Sequence, residues 1–505
     1  MPIHLKPNRE TLVYFSFYFV AHIWIVFIHD GVFWDDWYIY RADSGDLYDR
    51  ARQMGTILSP AWTAMHIFLL KFDPWIYKAL TFTLMFFSGL LLNQIIKRHS
   101  NINDSIRLTI VILFLVLPYN QIRPLMAASQ YTICYFLFFL AWYLINKQKI
   151  ISVVLFSISF YTNSLLMFFL IPVVELYFLE NRRIYLQSIV KFSIKYFYLL
   201  LLPFLYFAIK IVYFKPFGMY ENYNNSYDIV RGIKAPILQF ANIFDININL
   251  GLFALIFIIC CWLLRRIKLQ KIALNISLLG MAAGVIIFIL GAFPYWILGR
   301  VPTFNEFSSR HQLLMPLGTA VFWSYCLAGF NSHSRRVGLS VLISLSLAIG
   351  MVSYLDLYID WKKQKQILSF LKKDPISKNS DLVLFEDNSM SMNFNKRELK
   401  PYEWNGLLSL AFSDQKRFGS YENELHLHER GFYDYYMSSH FKADQFHRGR
   451  CSLIAIISIA PGRIDTRDLG FRQSEFFKDQ LLGVFRPEFK ISSRYKENSG
   501  TCAEE

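Results

Sequence analysis

Residues 32–41 read VFWDDWYIYR and follow directly on an apolar run, Thr11 to His29, that is long enough to cross a bilayer. The stretch sets two adjacent carboxylates, Asp35 and Asp36, among five rings: Phe33, Trp34, Trp37, Tyr38 and Tyr40. A carboxylate within a turn of a membrane edge is costly to desolvate unless it has a partner or a task. Neighbouring carboxylates also push one another's pKa apart and upward. One of them is then better suited to take a proton from a hydroxyl than a free Asp, whose pKa is about 3.9. The plainer reading makes the rings an interfacial aromatic belt and the aspartates its solvated neighbours.

Outward from this stretch, the chain of 505 residues is 54% hydrophobic and 18% aromatic. The excess apolar content sits in repeated runs near the length that spans a hydrocarbon core of about 30 Å. This predicts an α-helical polytopic membrane protein. The formal charge of +15 lies mostly at the ends of apolar runs, where it acts as a topology signal. No basic stripe interleaved with aromatics stands on a soluble module, which argues against nucleic acid as a partner. The first apolar run is too long for a signal-peptide core and lacks a small-residue cleavage site, so it reads as a retained helix. Four of the six cysteines lie in apolar runs; Cys451 and Cys502 lie in the polar C-terminal part and could pair in an oxidising compartment.

Charge placement orders the spans. Lys6 and Arg9 put the N-terminus inside, and the helix at about 11–29 exits. The segment 57–72 is short and reads as a helix lying on the outer surface, one of the juxtamembrane helices at about 30–72. Helices follow at about 74–96, 107–118 and 125–145, then two short ones within 150–179 meeting near residues 161–164 (YTNS). Further helices are expected at about 190–213, 246–264, 272–293, 312–330 and 338–357. The total is eleven crossings, with the N-terminus inside and the C-terminus outside. After residue 357 the composition changes: residues 360–374 read as an amphipathic helix, DLVLFED and CSLIAIISIAP as strands, and Leu407–Phe412 and Glu475–Phe485 as helices. The expected organisation is a transmembrane domain at 1–357 and a small extracytoplasmic α/β domain at 358–505.

A first helix followed outside by a DD element, juxtamembrane helices in the same loop, short later helices and an outer C-terminal domain together resemble the GT-C glycosyltransferases. FWDDWYIY carries the likeness at the residue level; the rest is architecture over 1–357. The resemblance implies an inverting transfer of a sugar from a polyprenyl-phosphate donor to an acceptor (lipid A, O-antigen, a wall polymer or a protein) on the periplasmic face of a bacterial inner membrane. Asp35 or Asp36 would be the base for the acceptor hydroxyl, and a divalent ion held by the pair is an option some relatives of that kind use. Trp34, Trp37 and Tyr38 would offer flat apolar faces to the sugar or the acceptor.

For the donor phosphate the outer loops offer Arg300, Arg310, His311 and Arg123, because a guanidinium holds phosphate bidentately and keeps its charge. Arg310 and His311 could equally snorkel at a helix start. His426, His428 and Glu429 are metal-ligating types, but their spacing fits a strand face and no further ligands stand nearby, so they read as a surface strand or loop. Asn224–Ser226 form a sequon that matters only where the host glycosylates. Three rival functions remain at this stage, one of them a non-enzymatic membrane assembly protein, under which both Asp35/Asp36 and Arg300/Arg310 should tolerate substitution. A transporter or flippase of lipid-linked saccharides would place its charges in mid-bundle. An O-antigen polymerase or ligase would lean on the arginines of the later loop.

Overall fold

The computed structural model describes residues 9–40, 42–181, 183–221, 229–241, 250–265, 269–304, 307–413, 417–421, 454–461 and 489–495. Cys451, Cys502, the 426–429 and 224–226 motifs and the helix expected at 475–485 lie outside them. The chain is mostly helical, with a small C-terminal sheet. It divides into two compact units: Met1–Val26 with Ser44–Val352, and Phe27–Asp43 with Ser353–Glu505. The boundary differs from the cut expected at 357, because the FWDDWYIY stretch packs with the C-terminal residues.

The first unit is a helix bundle. α1 (Arg9–His22) continues as a 3-10 turn to Ile28; α3 (Ser44–Gln53) and α4 (Ser59–Leu70) follow the short α2 (Asp36–Tyr40), which belongs to the second unit. Then come α5 (Trp75–Ile96), α6 (Asp104–Val116), α7 (Met126–Leu144), α8 (Lys149–Ser159), α9 (Ser164–Phe168) and α10 (Leu170–Glu180). The chain breaks between α8 and α9 across residues 160–163, where the sequence placed the meeting of two short helices. α11 (Leu186–Lys195) and α12 (Phe197–Tyr213) are bent by 66°. α13 (Ile229–Ala241), α14 (Leu250–Leu264), α15 (Leu274–Trp296) and α16 (Met315–Ala328) lead to α17 (Ser332–Lys373), which the two units share.

α6 sits at the bundle's centre. Asn103 caps its start by accepting from the Ser105 N–H at 2.8 Å, and every residue from Ile110 to Val116 is buried. α15 and α16 pack at backbone distance through glycine. A Cβ on Gly318 would meet the Phe288 nitrogen at 2.3 Å, and one on Gly284 would meet the Phe322 nitrogen at 2.5 Å. Small residues at such contacts let helices approach closely where lipid offers no hydrophobic drive between them.

Among the described residues, five helices are long and apolar enough to cross a membrane, and the bent α11–α12 pair makes up to six. Their length and composition are those of a polytopic membrane protein. The expected count of eleven is not reached by helix length: α6, α8, α10, α14 and α16 run to 11–15 residues. At 1.5 Å per residue that is about 16–22 Å, short of the core thickness. A second difference is α17, whose 42 residues fuse the last expected span with the amphipathic helix after it. No Gly or Pro falls between Met351 and Asp374, so nothing ends the helix before Pro375.

The second unit adds α18 (Pro375–Asn379), α19 (Pro401–Phe412) and a sheet of β1 (Leu382–Asp387), β2 (Phe418–Tyr421), β3 (Ile454–Pro461) and β4 (Phe489–Tyr495). The order is β2-β1-β3-β4, with β1 parallel to β2 and β3, and β4 antiparallel to β3. β1 and β3 are the two strands expected from sequence. Phe385 stacks on Trp404 of α19 at 4.0 Å, so the helix covers the sheet.

Candidate functional site

The two aspartates have opposite surroundings. Asp36 is fully buried at the first turn of α2, where its Oδ2 accepts from the Phe33 N–H at 3.4 Å and its own N–H donates to the Phe33 carbonyl at 2.9 Å. Both bonds run back to Phe33 and close the turn that carries Asp36. Asp35 is half-buried, and its Oδ1 accepts from the Tyr402 hydroxyl at 3.3 Å. The Tyr402 ring lies on Tyr38 at 4.7 Å. Burial first, then the negative charges of Asp35 and Glu403, raise the Tyr402 phenol above its ordinary range, so it stays a donor.

The rings divide in the same way. Trp34 is buried, with its backbone at φ 45°. Its N–H donates to Glu403 Oε1 at 3.0 Å, its ring meets Phe394 edge-on at 5.5 Å, and the Arg397 guanidinium lies 4.1 Å from the ring centre. Trp37 is 1% exposed and packs so closely on α19 that a Cβ on Gly406 would meet it at 2.3 Å. Both indoles, expected to face a substrate, are therefore taken up by packing. Tyr38 remains half-buried and within reach of Asp35's surroundings.

Beneath this turn lies an ion cluster that the sequence did not single out. Arg397 donates to both oxygens of Glu403, at 2.5 and 2.8 Å, and lies 3.1 Å from Asp360 of α17; all three are buried. Burial opposes the Arg397 charge, but the Asp360 and Glu403 carboxylates outweigh it and raise its pKa. Beside them Lys363 bonds Asp387 at 2.5 Å and Asn393 at 2.8 Å, with both charged groups fully enclosed. Asp30 accepts from the Trp361 indole at 2.9 Å and pairs with Lys365. The only local signal was Pro401 and Glu403 at the start of a helix, a pattern that marks an N-terminus. Glu403 does accept from the Lys400 N–H at 2.8 Å, but its bond to a residue 369 positions away has no trace in the sequence.

The phosphate-binding candidates all lie in the first unit. Arg310 caps the Phe307 ring at 3.9 Å, and His311 packs on Tyr295 at 4.8 Å. Burial first, then the charges of Arg310 and Arg300, push the His311 imidazole down to about 3. It is neutral at neutral pH, and the cationic character of this loop comes from its arginines. Arg123 is 5% exposed and occupied by the chain itself: it donates to the Tyr119 and Asn120 carbonyls beyond the end of α6 and approaches His22 at 3.5 Å. It holds the 119–123 turn, which removes it from the phosphate set.

His311 stays neutral in the fold down to about pH 3, whereas a histidine in the unfolded chain titrates near 6.5. The unfolded chain therefore binds more protons between those two values, and stability falls as pH drops through that window. The expected loss is at most ~1.4 kcal/mol per pH unit from this group. His311→Phe keeps the stack on Tyr295 and should flatten that part of the thermal-stability profile of the detergent-purified chain. An identical pH profile in the variant would contradict the assignment.

A divalent ion bridged by Asp35 and Asp36 does not fit this arrangement, since Asp36 is enclosed and already bonded while Asp35 faces Tyr402. Among the described residues no three His, Cys, Asp or Glu side chains gather as a metal site. Comparison with protein-family models, with curated proteins and with solved structures yields no match.

Proposed function

We propose that this chain is a membrane glycosyltransferase of GT-C character that moves a sugar from a polyprenyl-phosphate donor to a lipid, glycan or protein acceptor. The observation that carries the reading is Asp35: a partly exposed carboxylate on a rigid turn directly after the first span, with a phenol and a ring pair beside it. In the proposed reaction the acceptor oxygen bonds to the anomeric carbon, its proton passes to Asp35, and the polyprenyl phosphate leaves with the bonding pair. In the bundle, Arg300 and Arg310 supply charge suited to a phosphate. The proposed setting is a bacterial inner membrane, with the N-terminus cytoplasmic, the second unit periplasmic, and the short helices completing up to eleven crossings.

A polymerase or ligase acting on the same face is the second reading, favoured by the gathering of Arg300 and Arg310 beside a neutral His311. Membranes containing the chain, fed radiolabelled polyprenyl-phosphate sugars and scored for label in lipid, polymer and protein, test the first reading. Transfer that requires the chain supports it. Label that stays on the carrier, with or without the chain, would refute it.

A further inference from the structure

We infer that the C-terminal unit supplies a positioning residue for Asp35: the Tyr402 hydroxyl, fixed by the Arg397–Glu403 pair, aims the carboxylate. The inference rests on the proposed function and names a part of that same site.

Three observations converge on it. The Tyr402 hydroxyl is 3.3 Å from Asp35 Oδ1 and its ring rests on Tyr38, so the phenol has little freedom to turn away. Glu403, the next residue, is locked by both Arg397 nitrogens and binds the Trp34 N–H, one residue before Asp35. Tyr402 and the backbone leading to Asp35 are thus held by one buried pair. Finally, three non-glycine residues around this pair have left-handed backbone: Trp34 at φ 45°, Asn395 at φ 52° and Lys396 at φ 55°. Such backbone is strained for a residue with a side chain and persists only where the surroundings enforce it, and such residues gather where geometry serves a task.

A hydroxyl that fixes a base contributes by orientation, since a carboxylate free to rotate spends less time in line with its proton. Tyr402→Phe removes the hydroxyl and keeps the ring on Tyr38, so a purely structural Tyr402 would lose little. The experiment compares wild type, Tyr402→Phe and Asp35→Asn in transfer from a polyprenyl-phosphate sugar, with kcat, donor KM and melting temperature measured on the purified full chain. The expected result is a kcat lower by about tenfold or more in Tyr402→Phe, in line with a hydrogen bond to a charged group, at unchanged donor KM and melting temperature. A wild-type kcat in Tyr402→Phe, beside an inactive Asp35→Asn, would overturn the inference and leave the function standing. A loss matched by lower melting or by KM alone would also overturn it, as packing. A fully active Asp35→Asn would bring down both.

Discussion

Arg397→Ala is expected to destabilise the second unit by about 3–5 kcal/mol, because it breaks a buried ion pair by removing one partner. Asp360 and Glu403 have no exposed side-chain surface, and both face the guanidinium. Truncation strands two carboxylates in a dry interior and removes the cation from the Trp34 ring, a contact that adds up to about 2 kcal/mol when desolvated. Trp34 then lacks part of what holds it in a left-handed turn. Thermal unfolding and limited proteolysis of the purified chain should show early loss of the C-terminal residues. Replacing the pair together, Arg397→Met with Glu403→Gln, should cost less, since fewer buried charges are orphaned. A single variant as stable as wild type would show that the cluster is hydrated and unimportant to the fold.

Gly318→Val tests the bundle, with an expected loss of about 3 kcal/mol from overpacking. A Cβ at Gly318 would lie 2.3 Å from the Phe288 nitrogen and 2.8 Å from the Gly284 carbonyl oxygen. These are backbone atoms, so no side chain can swing aside and α15 and α16 must part. Melting temperature and monodispersity in detergent should both fall. Gly350→Ala is the control: its Cβ would meet only the Ala21 oxygen, at 3.9 Å, and alanine favours the helix. Equal behaviour of the two variants would contradict the close α15–α16 packing.

The membrane character and most helix positions were legible because apolar runs and basic flanks are local signals. The break at 160–163 was also visible, since YTNS interrupts an otherwise apolar stretch. Helix length is where hydropathy and structure part: α6 and α16 read as spans and extend 13 and 14 residues. α17 was cut in two because polarity changes at Asp360, although a helix continues through a change of polarity if no residue ends it. The site was half legible. FWDDWYIY drew notice for its composition, but sequence spacing cannot tell that Asp36 turns inward and Asp35 outward. Nor can it pair Trp34 with Arg397, Tyr402 with Asp35, or reveal that Arg123 is occupied by its own turn, because those contacts depend on how distant segments meet.

The deciding experiment is the rate of sugar transfer from polyprenyl-phosphate donors by purified chains carrying Asp35→Asn or Asp36→Asn, each corrected for folded protein. A general base contributes about 10²–10⁴-fold, so Asp35→Asn should lose transfer by that factor while folding normally. Asp36→Asn should lose folded protein and keep its activity per folded molecule. Transfer at the wild-type rate in Asp35→Asn, with the loss falling on Asp36→Asn or on neither, would contradict the assignment of the base and the function built on it.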